Sequence, residues 1–128
     1  MANELILIVE DNPKNLKLVR DTLQVKGYQT IEAETGEDGV RLAQERRPAL
    51  ILMDIQLPGI NGVEALHQLR ADPLTHETPI IAVTASVMPQ DRTRIMAAGF
   101  DGFQGKPISV RELLATVREI LDKPSGQL

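Results

Sequence analysis

Three short apolar runs, at residues 5–9, 50–53 and 80–83, restrict the fold of this chain more than any other feature. A run of four or five apolar residues that includes β-branched members is typical of a strand buried on both faces. Such strands occur in parallel sheets, because the helices that connect parallel strands cover both faces of the sheet. The runs are far shorter than the ~20 residues that a membrane span requires.

Helical patterns occupy the segments between these runs. Capping residues, proline and glycine predict helices that begin after Asn12, Thr35, Asn61, Met88 and Ser109. The fourth helix is expected to bury Ile95 and Met96. The last helix is expected to bury its residues at i, i+3, i+4 and i+7 spacing, namely Val110, Leu113, Leu114, Val117, Ile120 and Leu121. Two weaker strands are predicted at 28–33 and 100–104. Strand and helix therefore alternate five times, which predicts an α/β fold with a parallel sheet.

Composition favours one soluble domain. The chain has 128 residues, which is one domain of ordinary size, and its formal charge of −4 argues against nucleic acid or an anionic membrane as the main partner. It contains no cysteine, so thiolate metal sites and disulfides are excluded. We find no signal peptide and expect a cytoplasmic protein. We expect the domain to span residues 1–123, with a frayed tail at 124–128.

Polar side chains follow the predicted strands at one kind of position. Glu10 and Asp11 follow the first strand, Asp54 ends the third, Thr84 ends the fourth and Lys106 follows the fifth. The carboxyl ends of parallel strands meet at one sheet edge, where ligands bind. Three carboxylates together repel one another, and Mg²⁺ relieves that repulsion. A lysine and a hydroxyl beside them suit phosphoryl oxygens, so the set predicts phosphoryl transfer onto Asp54 as nucleophile.

Each of these residues alone has a more ordinary interpretation. An acidic pair can stabilise a helix N-terminus, a threonine often ends a strand, and a lysine is usually a solvated surface charge. Only their joint occurrence at successive strand ends favours a site. His67 and His76 show no ligand spacing and are predicted to be surface residues.

Glu10-Asp11, Asp54, Thr84 and Lys106-Pro107 resemble, in order and spacing, the receiver domain of two-component response regulators. The resemblance covers nearly the whole chain and is strongest to receivers of the single-domain type, and it also extends to receivers of hybrid histidine kinases. It implies a flavodoxin-like three-layer sandwich, with five parallel strands in order 2-1-3-4-5 and five helices.

The resemblance also implies roles for particular groups. Asp54 would accept a phosphoryl group from the phosphohistidine of a histidine kinase or a histidine phosphotransfer protein. Thr84, Lys106 and the backbone amide of Ala85 would bind its oxygens. Mg²⁺ would be bound by Glu10, Asp11, Asp54 and the backbone carbonyl of Gln56.

Two further expectations concern the end of the chain. Phe103 would be the aromatic switch, turning inward when Thr84 moves toward the phosphoryl group and so changing the face of helix four, strand five and helix five. The Lys106–Pro107 peptide bond is predicted to be cis, because Lys106 must turn back toward Asp54 while the chain enters the last helix.

Three functions compete. The first is a single-domain switch that signals to a downstream protein as a monomer or weak dimer. The second is a phosphorelay intermediate or a receiver fragment of a hybrid kinase. The third is a phosphatase that works through an aspartyl phosphate, as haloacid-dehalogenase-type enzymes do with a second aspartate two residues after the nucleophile. Gln56 occupies that position here and cannot transfer protons, which favours a persistent switch over a turnover enzyme.

Overall fold

The computed structural model describes residues 3–85 and 88–122. The predicted tail at 124–128 therefore lies outside the described residues. Strands and helices alternate through the described residues in the order β1 Leu5–Val9, α1 Pro13–Val25, β2 Gln29–Ala33, α2 Gly36–Arg46, β3 Leu50–Asp54, α3 Gly62–Ala71, β4 Ile80–Thr84, α4 Pro89–Ala98, β5 Gly102–Gly105 and α5 Val110–Asp122. No helix in these two ranges is long and apolar enough to cross a membrane.

The five strands form one parallel sheet in the order β2-β1-β3-β4-β5, which confirms the predicted topology. The central strands are almost wholly buried: every residue of β3 and β4 is buried, and so is all of β1 after its first residue. Burial on both faces explains why these strands are continuous apolar runs. β2 is more exposed because it lies at one edge of the sheet.

Helices cover both faces of the sheet and create two separate cores. One core packs buried residues of α2, α3 and α4 against alternate strand residues such as Leu7 and Ile51. The other packs buried residues of α1 and α5 against the intervening strand residues such as Ile6 and Leu50. The alternation of side chains along each strand thus produces the predicted three-layer sandwich.

The helices begin where the sequence places capping groups. The side chain of Asn12 accepts hydrogen bonds from the Lys14 and Asn15 amides, with Pro13 in the first helical position. Asn61 and Glu64 form a reciprocal capping box at the start of α3. Each cap satisfies amides that lack a partner within the helix. α1 and α3 therefore begin on the side of the sheet where polar residues follow β1 and end β3.

Three local predictions are wrong. Met96 and Val110 are each 42% exposed, although both were expected to be inward. Met96 adjoins the buried Ile95 on a short helix whose apolar stripe is narrow, and Val110 is the first residue of α5. β5 begins at Gly102 rather than at residue 100, and Phe100 instead fills the core beneath α3 and α4.

Arg47 ends α2 in the left-handed region, with φ of 46°, and it is the only non-glycine residue with positive φ among the described residues. This conformation disfavours residues with a Cβ, whereas glycine adopts it freely. We expect Arg47→Gly to raise the free energy of unfolding by about 1 kcal/mol, measured by urea denaturation followed by circular dichroism. The matched control is Arg46→Gly, which lies in helical backbone and should lower that free energy by about 0.5–1 kcal/mol. Equal effects of the two substitutions would contradict this explanation.

Candidate functional site

Asp54 lies at the carboxyl end of β3, the central strand of the sheet, with only 3% of its surface exposed. Glu10 follows β1, the neighbouring strand, and is similarly buried, whereas Asp11 is exposed. One carboxylate oxygen from each of the three residues lies within 4.8 Å of the others. The parallel pairing of β1 with β3 produces this cluster, because it brings the ends of both strands to the same edge.

Lys106 provides the positive charge of the cluster. Its Nζ lies 2.8 Å from Oδ2 of Asp54 and 3.2 Å from Oε1 of Glu10. Its backbone amide donates to the carbonyl of Thr84 at 2.8 Å, which fixes the residue at the end of β5. The Lys106–Pro107 peptide bond is cis. The three carboxylates and one ammonium leave an excess of negative charge at a largely buried place.

Burial and neighbouring charges shift the pKa values of Glu10 and Lys106. Burial raises the pKa of Glu10 above its ordinary value, and the Asp54 carboxylate raises it further, although the Asn12 amide and Lys106 oppose both effects. Burial lowers the pKa of Lys106, but the ion pairs with Asp54 and Glu10 outweigh burial, so the net shift is upward. Lys106 therefore stays protonated, and the cluster favours an additional cation or a proton.

The loop between β3 and α3 borders the cluster. The backbone amide of Gln56 donates to Oδ1 of Asp54 at 3.0 Å, so Asp54 is held by Lys106 on one oxygen and by Gln56 on the other. The amide of Gly62 donates to the carbonyl of Ile55 at 2.9 Å. A Cβ at Gly62 would clash with the carbonyl oxygen of Asp54, so only glycine permits this approach of α3 to the end of β3.

The remaining predicted residues lie on the side of the cluster nearer β5. Thr84 ends β4 and is buried, and the exposed Ala85 follows it. Phe103 is partly buried against the core beneath α2, α3 and α4, and the guanidinium of Arg92 lies 5.0 Å from the centre of its ring. Phe103 thus lies outside the charged cluster, one strand beyond Thr84 in the sheet. His67 and His76 are exposed, as predicted.

The charged cluster suits a hard divalent cation. Three carboxylates with oxygens in mutual reach offer the oxygen ligands that Mg²⁺ prefers, and the exposed Asp11 leaves room for coordinated water. No other group of three or more acidic, histidine or cysteine side chains with this spacing occurs in residues 3–85 and 88–122. The donor set therefore fits the ion that the sequence predicts.

Comparison with known proteins agrees with this geometry. The family model of the response regulator receiver domain matches residues 6–118. The chain belongs to this family. The receiver is 44% identical to the polar-differentiation response regulator DivK of Brucella anthropi over 116 residues, which cover 91% of this chain and 94% of that protein.

Solved structures resemble the receiver throughout its length. The receiver domain of sensor histidine kinase PA1611 from Pseudomonas aeruginosa, with a magnesium ion coordinated in its active-site cleft, superposes with a TM-score of 0.88 at 34% identity. The aligned region covers 95% of this chain and 100% of that one. A response regulator from Chloroflexus aurantiacus gives a TM-score of 0.90 at 28% identity, covering 94% and 99% of the two chains.

Sequence reasoning missed two backbone donors of the receiver's site. The amides of Asn12 and Gln56 hold Glu10 and Asp54, but an amide carries no residue-specific signal. It also missed Glu37, whose carboxylate reaches the loop beside Asp54 and accepts a hydrogen bond from the Ile60 amide at 3.3 Å. In sequence, Glu37 resembles any acidic residue in the first turn of a helix.

Proposed function

We propose that this receiver is a phosphorylation-activated switch in which Asp54 accepts a phosphoryl group from a phosphohistidine. The observation that supports this most strongly is a buried carboxylate held 2.8 Å from a lysine within an acidic cluster. The Asp54 carboxylate attacks the phosphorus atom, the bond from phosphorus to the histidine nitrogen breaks, and the nitrogen keeps the electron pair. The product is an acyl phosphate on Asp54.

The other groups of the cluster bind the phosphoryl group and orient Asp54. Lys106 balances the charge of the phosphoryl oxygens, and Thr84 and the Ala85 amide donate hydrogen bonds to them. The Gln56 amide keeps Asp54 oriented through the oxygen that is not attacking. Glu10, Asp11, Asp54 and the Gln56 carbonyl are the proposed ligands of Mg²⁺, which would supply positive charge beside the transferring group.

The proposed partners are proteins. A sensor histidine kinase or a histidine phosphotransfer protein supplies the phosphoryl group, and a downstream protein binds the face formed by α4, β5 and α5, which we call the output face. A groove of about 410 Å³ crosses this face between Arg92, Phe103, Glu112 and Ala115. Gln56 offers no proton-transferring group two residues after Asp54, so the acyl phosphate persists and the protein acts as a switch instead of a turnover enzyme.

Phosphotransfer from purified kinases tests the proposal. Each histidine kinase and phosphotransfer protein of the source organism is first phosphorylated with labelled ATP and then mixed with the receiver for a short time. We expect rapid transfer of the label from one or a few of them, and loss of transfer when EDTA removes Mg²⁺. The absence of transfer from every donor, together with no reaction with a small phosphodonor, would contradict the proposal.

Asp11 should favour function at the expense of stability. Its exposed carboxylate repels those of Glu10 and Asp54. Glu10 and Asp54 each form an ion pair with Lys106, which offsets their repulsion. In Mg²⁺-free buffer we expect Asp11→Asn to raise the free energy of unfolding by about 1 kcal/mol. Millimolar Mg²⁺ should stabilise the wild-type chain and leave this variant almost unchanged, since a ligand stabilises the state that binds it. Thermal unfolding with and without Mg²⁺ measures both effects, and Glu77→Gln, a change at an exposed acid outside the cluster, is the control.

A further inference from the structure

We propose that Glu37 is a positioning residue that holds the loop between β3 and α3 over Asp54 and thereby sets the affinity of the acidic cluster for Mg²⁺. Glu37 lies in the first turn of α2, outside the charged cluster. The Mg²⁺ part of this inference rests on the proposed function, whereas the loop part rests on contacts within the chain alone.

The contact between Glu37 and the loop is specific in two ways. Oε2 of Glu37 accepts the hydrogen bond of the Ile60 amide at 3.3 Å. Both carboxylate oxygens also lie against Gly59, because a Cβ at that residue would be 2.5 Å from each of them. Gly59 has φ of +77°, so its backbone turns toward the carboxylate in a conformation that other residues rarely adopt.

A second contact between α2 and the loop lies beside Glu37, at Gly36. A Cβ at Gly36 would lie 2.6 Å from the carbonyl oxygen and the Cγ1 atom of Ile60, so α2 touches the loop directly at its first residue. At the other end of α2, Gln44 donates to Asp72 at the end of α3 with a 2.7 Å hydrogen bond. α2 is thus joined to the β3–α3 connection at one end and to α3 at the other.

The position of the loop between β3 and α3 determines how Asp54 is held. Its Gln56 amide holds Oδ1 of Asp54 at 3.0 Å, and the Gly62 amide closes the loop onto the carbonyl of Ile55 at 2.9 Å. The Gln56 carbonyl is also the proposed backbone ligand of Mg²⁺. A loop that moves away from Glu37 would misplace both the orienting amide and the carbonyl, and groups that orient metal ligands contribute strongly to metal affinity.

Three variants separate position from charge. Glu37→Ala removes both the acceptor and the charge, whereas Glu37→Gln removes the charge and keeps an oxygen that accepts from the Ile60 amide. Asp38→Ala is the matched control, because Asp38 is an exposed acid in the same helical turn whose side chain pairs with Arg41 at 3.6 Å. Glu37 and Asp38 are both exposed, so the three variants are expected to remain folded.

The first measurement needs neither Mg²⁺ nor phosphorylation. Amide exchange with solvent, followed by NMR on the metal-free chain, reports how firmly the loop is held. We expect the Ile60 and Gln56 amides to exchange faster in Glu37→Ala, and to exchange at the wild-type rate in Glu37→Gln and Asp38→Ala. The second measurement is the Mg²⁺ dissociation constant by calorimetry, which we expect to rise by about three- to tenfold in Glu37→Ala and by less than twofold in the other two.

Two outcomes would overturn the inference. Unchanged exchange and unchanged Mg²⁺ affinity in Glu37→Ala would show that the carboxylate does not position the loop. Equal loss of affinity in Glu37→Ala, Glu37→Gln and Asp38→Ala would show that only the charge matters. A wild-type chain that binds no Mg²⁺ would instead contradict the proposed function, and the exchange rates would still decide whether Glu37 holds the loop.

Discussion

Replacing Asp54 with asparagine is expected to abolish phosphorylation while the chain remains folded. The asparagine side chain has nearly the same shape as aspartate, so it fills the buried place at the end of β3, but its amide lacks the anionic oxygen that attacks phosphorus. Lys106 keeps its ion pair with Glu10 at 3.2 Å, so the substitution does not leave a buried ammonium without a partner. The expected result is therefore a loss of chemistry without a loss of structure.

Intact mass measures this effect. Wild-type and Asp54→Asn chains are incubated with a small phosphodonor and Mg²⁺, and the fraction that gains one phosphoryl group is followed over time. Asp38→Asn, which changes an exposed acid outside the site, should react like the wild type. If Asp54→Asn gains the group as readily as the wild type, another residue is the acceptor and the proposed role of Asp54 is wrong.

The sequence predicts the strands and the helix starts well, because both depend on local signals. An apolar run such as residues 50–53 is stable only as a strand in a sheet that is covered on both faces. Asn61 and Glu64 form a helix cap through local hydrogen bonds that do not depend on the rest of the fold. The side of a helix that faces inward depends on the neighbours it meets. Met96 and Val110 were therefore mispredicted, and Ala65, a small residue with little apolar signal, is fully buried.

The candidate site divides in the same way. Glu10 and Lys106 follow β1 and β5, and Asp54 ends β3, so the alternation of strands and helices alone places them at one edge of the sheet. Glu37 lies near that site because its carboxylate contacts the turn at Gly59, which has positive φ, and accepts a hydrogen bond from the next amide. Nothing local in sequence shows which helix this turn will meet. The residues that do chemistry are thus easier to predict than those that hold them in place.

A second large effect is expected when Thr84 is replaced by alanine. Phosphorylation adds a dianion at Asp54, and the Thr84 hydroxyl is proposed to donate a hydrogen bond to it. A hydrogen bond to a charged group contributes about 1.5–3 kcal/mol, which corresponds to about a tenfold or greater shift between two conformations. Thr84→Ala should therefore keep phosphorylation of Asp54 and lose most of the conformational response of the output face.

Phe103 is proposed to connect that hydrogen bond to the output face. Residues of β4 and β5 pair side by side, with Ala82 beside Phe103 and Thr84 beside Gly105. Phe103 is only partly buried, and Arg92 of α4 lies over its ring at 5.0 Å. When Thr84 moves toward the phosphoryl group, we expect Phe103 to turn inward and to leave Arg92. The surface between α4 and α5 then changes, because it loses one side of the groove that these two residues line.

Amide chemical shifts measured with and without beryllofluoride, a mimic of the phosphoryl group, follow this response. In the wild type we expect shifts both around Asp54 and along α4, β5 and α5, whereas in Thr84→Ala only those around Asp54 should remain. Thr84→Ser keeps the hydroxyl and should restore the distant shifts. Undiminished shifts in α4, β5 and α5 of Thr84→Ala would show that Thr84 does not couple the site to the output face. Distant chemical-shift changes that occur in Thr84→Ser but not in Thr84→Ala would establish the hydroxyl as the coupling group. A ligand shifts an equilibrium only through contacts that differ between the two states.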